Sequence, residues 1–134
     1  MFSGAAVFRR GFQLGDFAEI FACLAAGFSF YHAAYPEPTP DGPFLRAALR
    51  GAREAFGPDF RFTDHVRGET FDLLPWVATI GGLDAEGVDL VREDGDGRLL
   101  EVRITMRPIQ AIQLFSDAML LKLKHRPDSE AAGE

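Results

Sequence analysis

Apolar residues recur every three to four positions in the first half of the chain and every second position in much of the second half. The first stretch, about residues 3–14, reads as a helix that breaks at Gly15. Asp16 stands three residues before Glu19, the spacing of a capping box. Phe17, Ile20, Phe21 and Leu24 then share one helical face, which Gly27 closes. Phe28-Ser29-Phe30-Tyr31-His32 has the composition of a strand. The run from Tyr35 to Pro43 holds four prolines, which fix φ and remove donors, so it reads as a loop. Pro43 suits the first position of a third helix, whose apolar face is Phe44, Leu45, Ala48, Leu49, Ala52 and Phe56 and which stops at Gly57-Pro58.

From residue 59 the period becomes two. The pattern predicts four strands, about 59–67, 70–80, 83–92 and 98–107. Gly81-Gly82 is a two-residue hairpin signal, and Asp94-Gly95-Asp96-Gly97 is a turn. Pro75 inside the second strand demands an edge or a bulge there. A last apolar run, Ile109, Ile112, Phe115, Met119 and Leu120, predicts a C-terminal helix. Residues 1–125 read as one domain and 126–134, small and polar, as a flexible tail. The predicted class is α+β: three N-terminal helices packed in a curved antiparallel sheet, plus the C-terminal helix. A sheet that curls over helices leaves a concave interior suited to a small ligand.

The hairpin also predicts facing. If Gly81-Gly82 pairs Ile80 with Leu83, Trp76 sits opposite Gly87 and Leu74 opposite Asp89. Trp76, Ala78, Gly87, Asp89 and Val91 then share the inward face. On the last strand Leu100, Val102, Ile104 and Met106 point inward, and Glu101, Arg103, Thr105 and Arg107 outward. Asp89 is thereby placed on an apolar face near Trp76 and Met106, where loss of water disfavours the carboxylate.

Composition narrows the function. The 134 residues are 47% hydrophobic and 25% charged, ordinary for a chain that buries a core. Thirteen Phe against two Tyr and one Trp either fill that core or line a pocket. A net charge of −6 with no basic stripe excludes nucleic acid as the expected partner. No apolar run approaches the ~20 residues of a membrane span. Arg9 and Arg10 follow the apolar start rather than precede it, the reverse of a secretory signal, so the cytoplasm is the expected location. The lone Cys23, in Phe21-Ala22-Cys23-Leu24, forms no intrachain disulfide and reads as a small buried hydrophobe. Asp64 and His65 invite a metal reading with His32, but adjacent strand residues point to opposite faces. No phosphate loop or nucleophile elbow is present, and no cofactor or metal is expected.

Residues 86–108 run from Glu86-Gly87-Val88-Asp89 through the Asp94–Gly97 turn to Met106-Arg107-Pro108. They resemble the SnoaL-like branch of the nuclear transport factor 2-like superfamily, with its Gly-x-Asp strand, Asp/Gly turn and final strand ending in Arg-Pro. Leu14-Gly15-Asp16-Phe17 and Phe30-Tyr31-His32 resemble other pieces of that pattern, over about residues 5–120. The resemblance implies a cone-shaped fold and a dimer formed through the convex sheet face, around Arg103, Thr105 and Arg107. It puts Asp89 where the ketosteroid isomerases of the superfamily carry an oxyanion-binding Asp; the family's polyketide cyclases use a pocket Asp as acid/base. The chain departs from the isomerases in two places. Ala33 or Ala34 stands at their base position and Phe8 at their tyrosine position, and neither can do that chemistry. Gly87 stands where the limonene epoxide hydrolases would want an Arg.

The expected site is therefore Asp89 as the acid and His32 as the alternative base, a pair suited to work near neutral pH. Tyr31, Phe62, Leu74, Trp76, Ile104 and Met106 are the expected walls. Alternatives stand beside each: a structural Asp tied to backbone, a structural His at a strand end. The expected function is acid/base chemistry of the cyclase or isomerase type on a small hydrophobic carbonyl or polyketide-like compound. Its alternative is a non-catalytic module that binds a hydrophobic ligand or dimerises.

Overall fold

A computed structural model describes residues 2–125. The chain runs α1 (Gly4–Leu14), α2 (Ala18–Ala22), β1 (Leu24–Tyr31), β2 (Thr39–Pro40), α3 (Leu45–Phe56), β3 (Arg61–Phe62), β4 (Asp72–Ile80), β5 (Leu83–Glu93), β6 (Leu99–Ile104) and α4 (Ile109–His125). The six strands form one curved sheet in the order β2-β1-β6-β5-β4-β3. The class is α+β as predicted, but the sheet is mixed rather than antiparallel, because β1 pairs parallel to β6. The predicted tail, 126–134, lies outside the described residues. Among those described, no helix is long and apolar enough to cross a membrane.

The elements form where local chemistry allows them. Ser3 caps α1 by accepting from Ala6 N, and Gly15 ends it in the left-handed region at φ 74°. The 94–97 turn is closed by Asp94, whose Oδ1 accepts from Asp96 N and Arg98 N, and Gly97 O then accepts from Gly4 N at 2.7 Å. The β4–β5 register is the predicted one throughout, from Ile80↔Leu83 to Asp72↔Val91. Pro75 is tolerated without a bulge in that ladder. Its carbonyl faces β3 and accepts from Thr63 N, so its missing N–H also faces that side, where β3 is only two residues long.

Four predictions need correction. The helix after Asp16 ends at Ala22, not Gly27; Gly27 sits inside β1 at φ 81°, where β1 bulges relative to β6. The proline run is not all loop, since Thr39-Pro40 adds an edge strand to β1. Phe44 is 50% exposed and lies outside the buried face of α3. A register shift near Glu93 also places Leu99 rather than Leu100 in the core. Glu101 faces outward as predicted but is buried beneath the guanidinium groups of Arg92 and Arg103.

Helices α1, α3 and α4 cover the inner face. α4 buries Ala111, Phe115, Met119 and Leu123, a stripe at four-residue spacing. Most of the phenylalanines fill the interior. Phe12 packs against Phe8, Phe56, Phe60 and Phe62, and Phe56 in turn touches Trp76 and Phe115, each at 4.7 Å between ring centroids. Arg53 ties this layer together from below, donating to Gln13 O from Nε and Nη2 and to Gly57 O from Nη1.

Candidate functional site

Strand register assembles the site. Leu74 pairs with Asp89 and Asp89 with Ile104, so these three side chains form one row on the inner face. In the neighbouring strand Phe30 pairs with Val102 and Tyr31 with Arg103. His32, the next residue, continues that register towards Ile104 on the same face as Phe30. His32 and Asp89 are thus two strands apart, about 10 Å between backbones at ordinary strand spacing, with Ile104 between them.

Asp89 has no exposed surface, and neither carboxyl oxygen has a hydrogen-bond partner. Desolvation pushes its carboxyl well above the usual value of 3.8. The Trp76 indole N–H offsets part of that rise, although the pair falls outside ordinary hydrogen-bond geometry, and Trp76 Nε1 has no other partner. Trp76 is held by Phe56 and Phe60 on its faces and edge. Behind it Gly87 is obligatory, because a Cβ there would lie 2.0 Å from Thr105 O and 2.6 Å from Trp76 Cζ2.

His32 is 7% exposed. Its Nδ1 accepts from Ala34 N at 3.2 Å, which leaves the ring proton on Nε2, and that atom is buried without a partner. Desolvation lowers its pKa to about 4, so the ring is neutral at pH 7. It packs between Phe30 and Tyr35, at 5.3 and 5.4 Å between ring centroids. Among the described residues, the interior therefore holds three polar groups without a hydrogen bond of ordinary geometry: the Asp89 carboxyl, the His32 Nε2–H and the Trp76 N–H. Such groups are rare in native interiors, and each costs ~1–3 kcal/mol while unpaired.

The other expected residues divide. Leu74 and Trp76 are buried on the inner face, and Ile104 and Met106 are half-buried beside them. Phe62 belongs to the aromatic core, between Phe8, Phe12 and Phe60. Tyr31 faces the other side of the sheet, where the Arg103 guanidinium sits 4.0 Å from its ring centre, so it is not a wall of the interior. Trp76 and Met106 share the wall of a shallow groove of about 460 Å³ with Gly87 and Thr105. Asp89 is absent from that wall and has no exposed surface, so the carboxyl is sealed in this conformation. His65 and Asp64 take part in no metal cluster among the described residues. His65 Nε2 instead bonds Asp72 Oδ2 at 2.8 Å, and Asp64 Oδ1 accepts from His65 N.

Two features escaped the sequence reading. One is a charge network at the sheet's far end: Arg67 bridges Asp72 and Glu93, and Glu93 accepts from Ser3 Oγ and Ala5 N. The other is an apolar groove of about 600 Å³ at the proline run, lined by residues that include Tyr35, Pro38, Phe44 and Leu120.

No family model matches the chain, and no curated protein matches it. Solved structures do. A protein with a cystatin-like fold from Silicibacter pomeroyi DSS-3 superposes with a TM-score of 0.82 at 26% identity, covering 94% of this chain and 89% of its own. A steroid delta-isomerase from Pseudomonas aeruginosa gives 0.81 at 20% identity over 91% and 90%. A nuclear transport factor 2-like protein of unknown function from Exiguobacterium gives 0.58 at 13% over 78% and 98%. The chain has the nuclear transport factor 2-like fold.

Proposed function

We propose that this nuclear transport factor 2-like fold takes a small hydrophobic carbonyl compound into its interior, where the Asp89 carboxyl donates a hydrogen bond to the carbonyl oxygen and favours its enol form. One observation carries the reading: a fully buried carboxyl, pushed up in pKa by desolvation, neither of whose oxygens makes a hydrogen bond of ordinary geometry. A neutral acid of this kind stabilises negative charge developing on oxygen. The steroid delta-isomerase that shares the fold acts on a steroid, a molecule of similarly apolar character. His32 supplies a second donor through Nε2. To serve as the base it takes up the α-proton at Nε2 after its own proton moves to Nδ1, which gives up the bond from Ala34 N. That cost, together with Phe8 buried against Phe12 and Ala33 lying exposed, favours a second reading in which the compound is bound without turnover. A dimer formed through the outer sheet face belongs to the same proposal. That face carries half-buried Tyr31, Val77, Val88 and Leu90. Light scattering on gel filtration tests the dimer, and a monomer at micromolar concentration overturns it.

Acetophenone labelled with ¹³C at the carbonyl tests the site. Its infrared carbonyl stretch falls on binding to the wild type, stays low in Asp89→Asn, which keeps a donor, and returns to the unbonded frequency in Asp89→Val. Exchange of its methyl hydrogens in D₂O, dependent on Asp89, identifies turnover. A shifted stretch without exchange selects the binding reading, and an unshifted stretch in the wild type overturns both.

A further inference from the structure

The groove at the proline run is built differently from the interior row. Its floor is core: Ala48 and Leu123 are 2% and 6% exposed. Its rim is apolar yet open, with Tyr35, Phe44 and Leu120 between 40% and 50% exposed. Pro38 and Pro40 add rigid apolar surface from β2 and the run before it. The charged group in its wall is Glu37, and no Lys or Arg lines it among the described residues. Its volume of about 600 Å³ falls within the ~300–1,000 Å³ of small-molecule sites. Open apolar rims of this kind mark contacts still to be made.

Tyr35 joins this groove to the buried row. Its ring forms part of the groove wall and packs on His32 at 5.4 Å between centroids. Half-exposed side chains change rotamer in picoseconds to nanoseconds, so rotation of Tyr35 is an inexpensive route from groove to His32.

We propose that this groove holds the apolar tail of the same molecule whose carbonyl is held in the interior, and that the ligand is an uncharged amphiphile with an alkyl or ring tail. The proposal rests on the carbonyl-binding reading above. It adds the tail site, its residues and the exclusion of carboxylate- or phosphate-headed lipids, which meet Glu37 and no cation among the described residues. Tail length then sets affinity, and Phe44 and Leu120 set the length preferred.

The test is a series of 4-alkylacetophenones, from methyl to hexyl, titrated by calorimetry. In the wild type, affinity rises by up to about fourfold for each methylene the groove buries. Leu120→Asp and Phe44→Asp, both at exposed positions, remove that rise. A rise that survives both variants, or no rise in the wild type, overturns the tail site. Asp89→Val weakens every member of the series by one common factor and keeps the slope. If Asp89→Val changes no affinity while the slope still depends on Leu120, the carbonyl reading fails, and the two-part ligand fails with it.

Discussion

Replacing Asp89 by Asn leaves the shape of the buried group almost unchanged and removes its ability to ionise. The consequence for stability follows from burial. With no exposed surface and no partner, the carboxyl binds its proton more tightly folded than unfolded. Below the unfolded value of about 3.8 both states are protonated, and the group makes no pH-dependent difference. As pH rises above that value the unfolded chain releases the proton and the folded one keeps it. Unfolding is then favoured by about 1.4 kcal/mol per pH unit, until the folded carboxyl itself ionises. Asp89→Asn escapes this loss. Urea unfolding of both proteins from pH 4 to pH 8 isolates the effect, since every other carboxyl cancels in the difference. The stability of Asp89→Asn minus that of wild type is expected to climb from pH 4, by at most about 1.4 kcal/mol per pH unit, until the folded carboxyl ionises. A difference that is flat, or falls with pH, shows that the carboxylate is satisfied in the fold. It would refute the buried neutral acid.

Other outcomes follow from the same structure. His32 titrates in the opposite sense: its folded value is lowered from 6.5 to about 4, so wild type loses up to about 3 kcal/mol as pH falls through that window, and His32→Phe abolishes that loss in acid unfolding curves. Gly87→Ala drives a methyl into Thr105 O and the Trp76 ring and costs about 2 kcal/mol or more, read from urea midpoints. Arg53→Lys cannot span Gln13 O and Gly57 O together and costs about 2 kcal/mol in the same assay.

The parts of the fold legible in the sequence are those with local causes. Two glycines at 81 and 82 set the hairpin, the hairpin set the β4–β5 register, and alternation then put Asp89 and Trp76 inside. Alternation also decides between neighbours: Tyr31 and His32 were both candidates, yet only one face of that chain meets the interior, and it takes His32. What escaped depends on partners far away in sequence. Leu24 has the spacing of a helix residue and becomes a strand residue because Leu99 pairs with it. Thr39-Pro40 is an edge strand only because β1 lies alongside. Glu101 sits at an outward position and is buried because Arg92 and Arg103 close over it. The groove lined by Tyr35 and Leu120 joins two segments with no shared pattern.

The parallel pairing of β1 with β6 has a consequence for how the molecule is made. Phe30 waits for Val102, and β1 has only the two residues of β2 on its other side. On a ribosome, the hairpin of β4 and β5 has both its strands before β6 emerges, while β1 has no long partner until the chain has passed residue 104. Closure of such a distant pair is slow relative to hairpin formation. During synthesis the apolar Phe28 and Phe30 are therefore the segment most in need of protection from other chains.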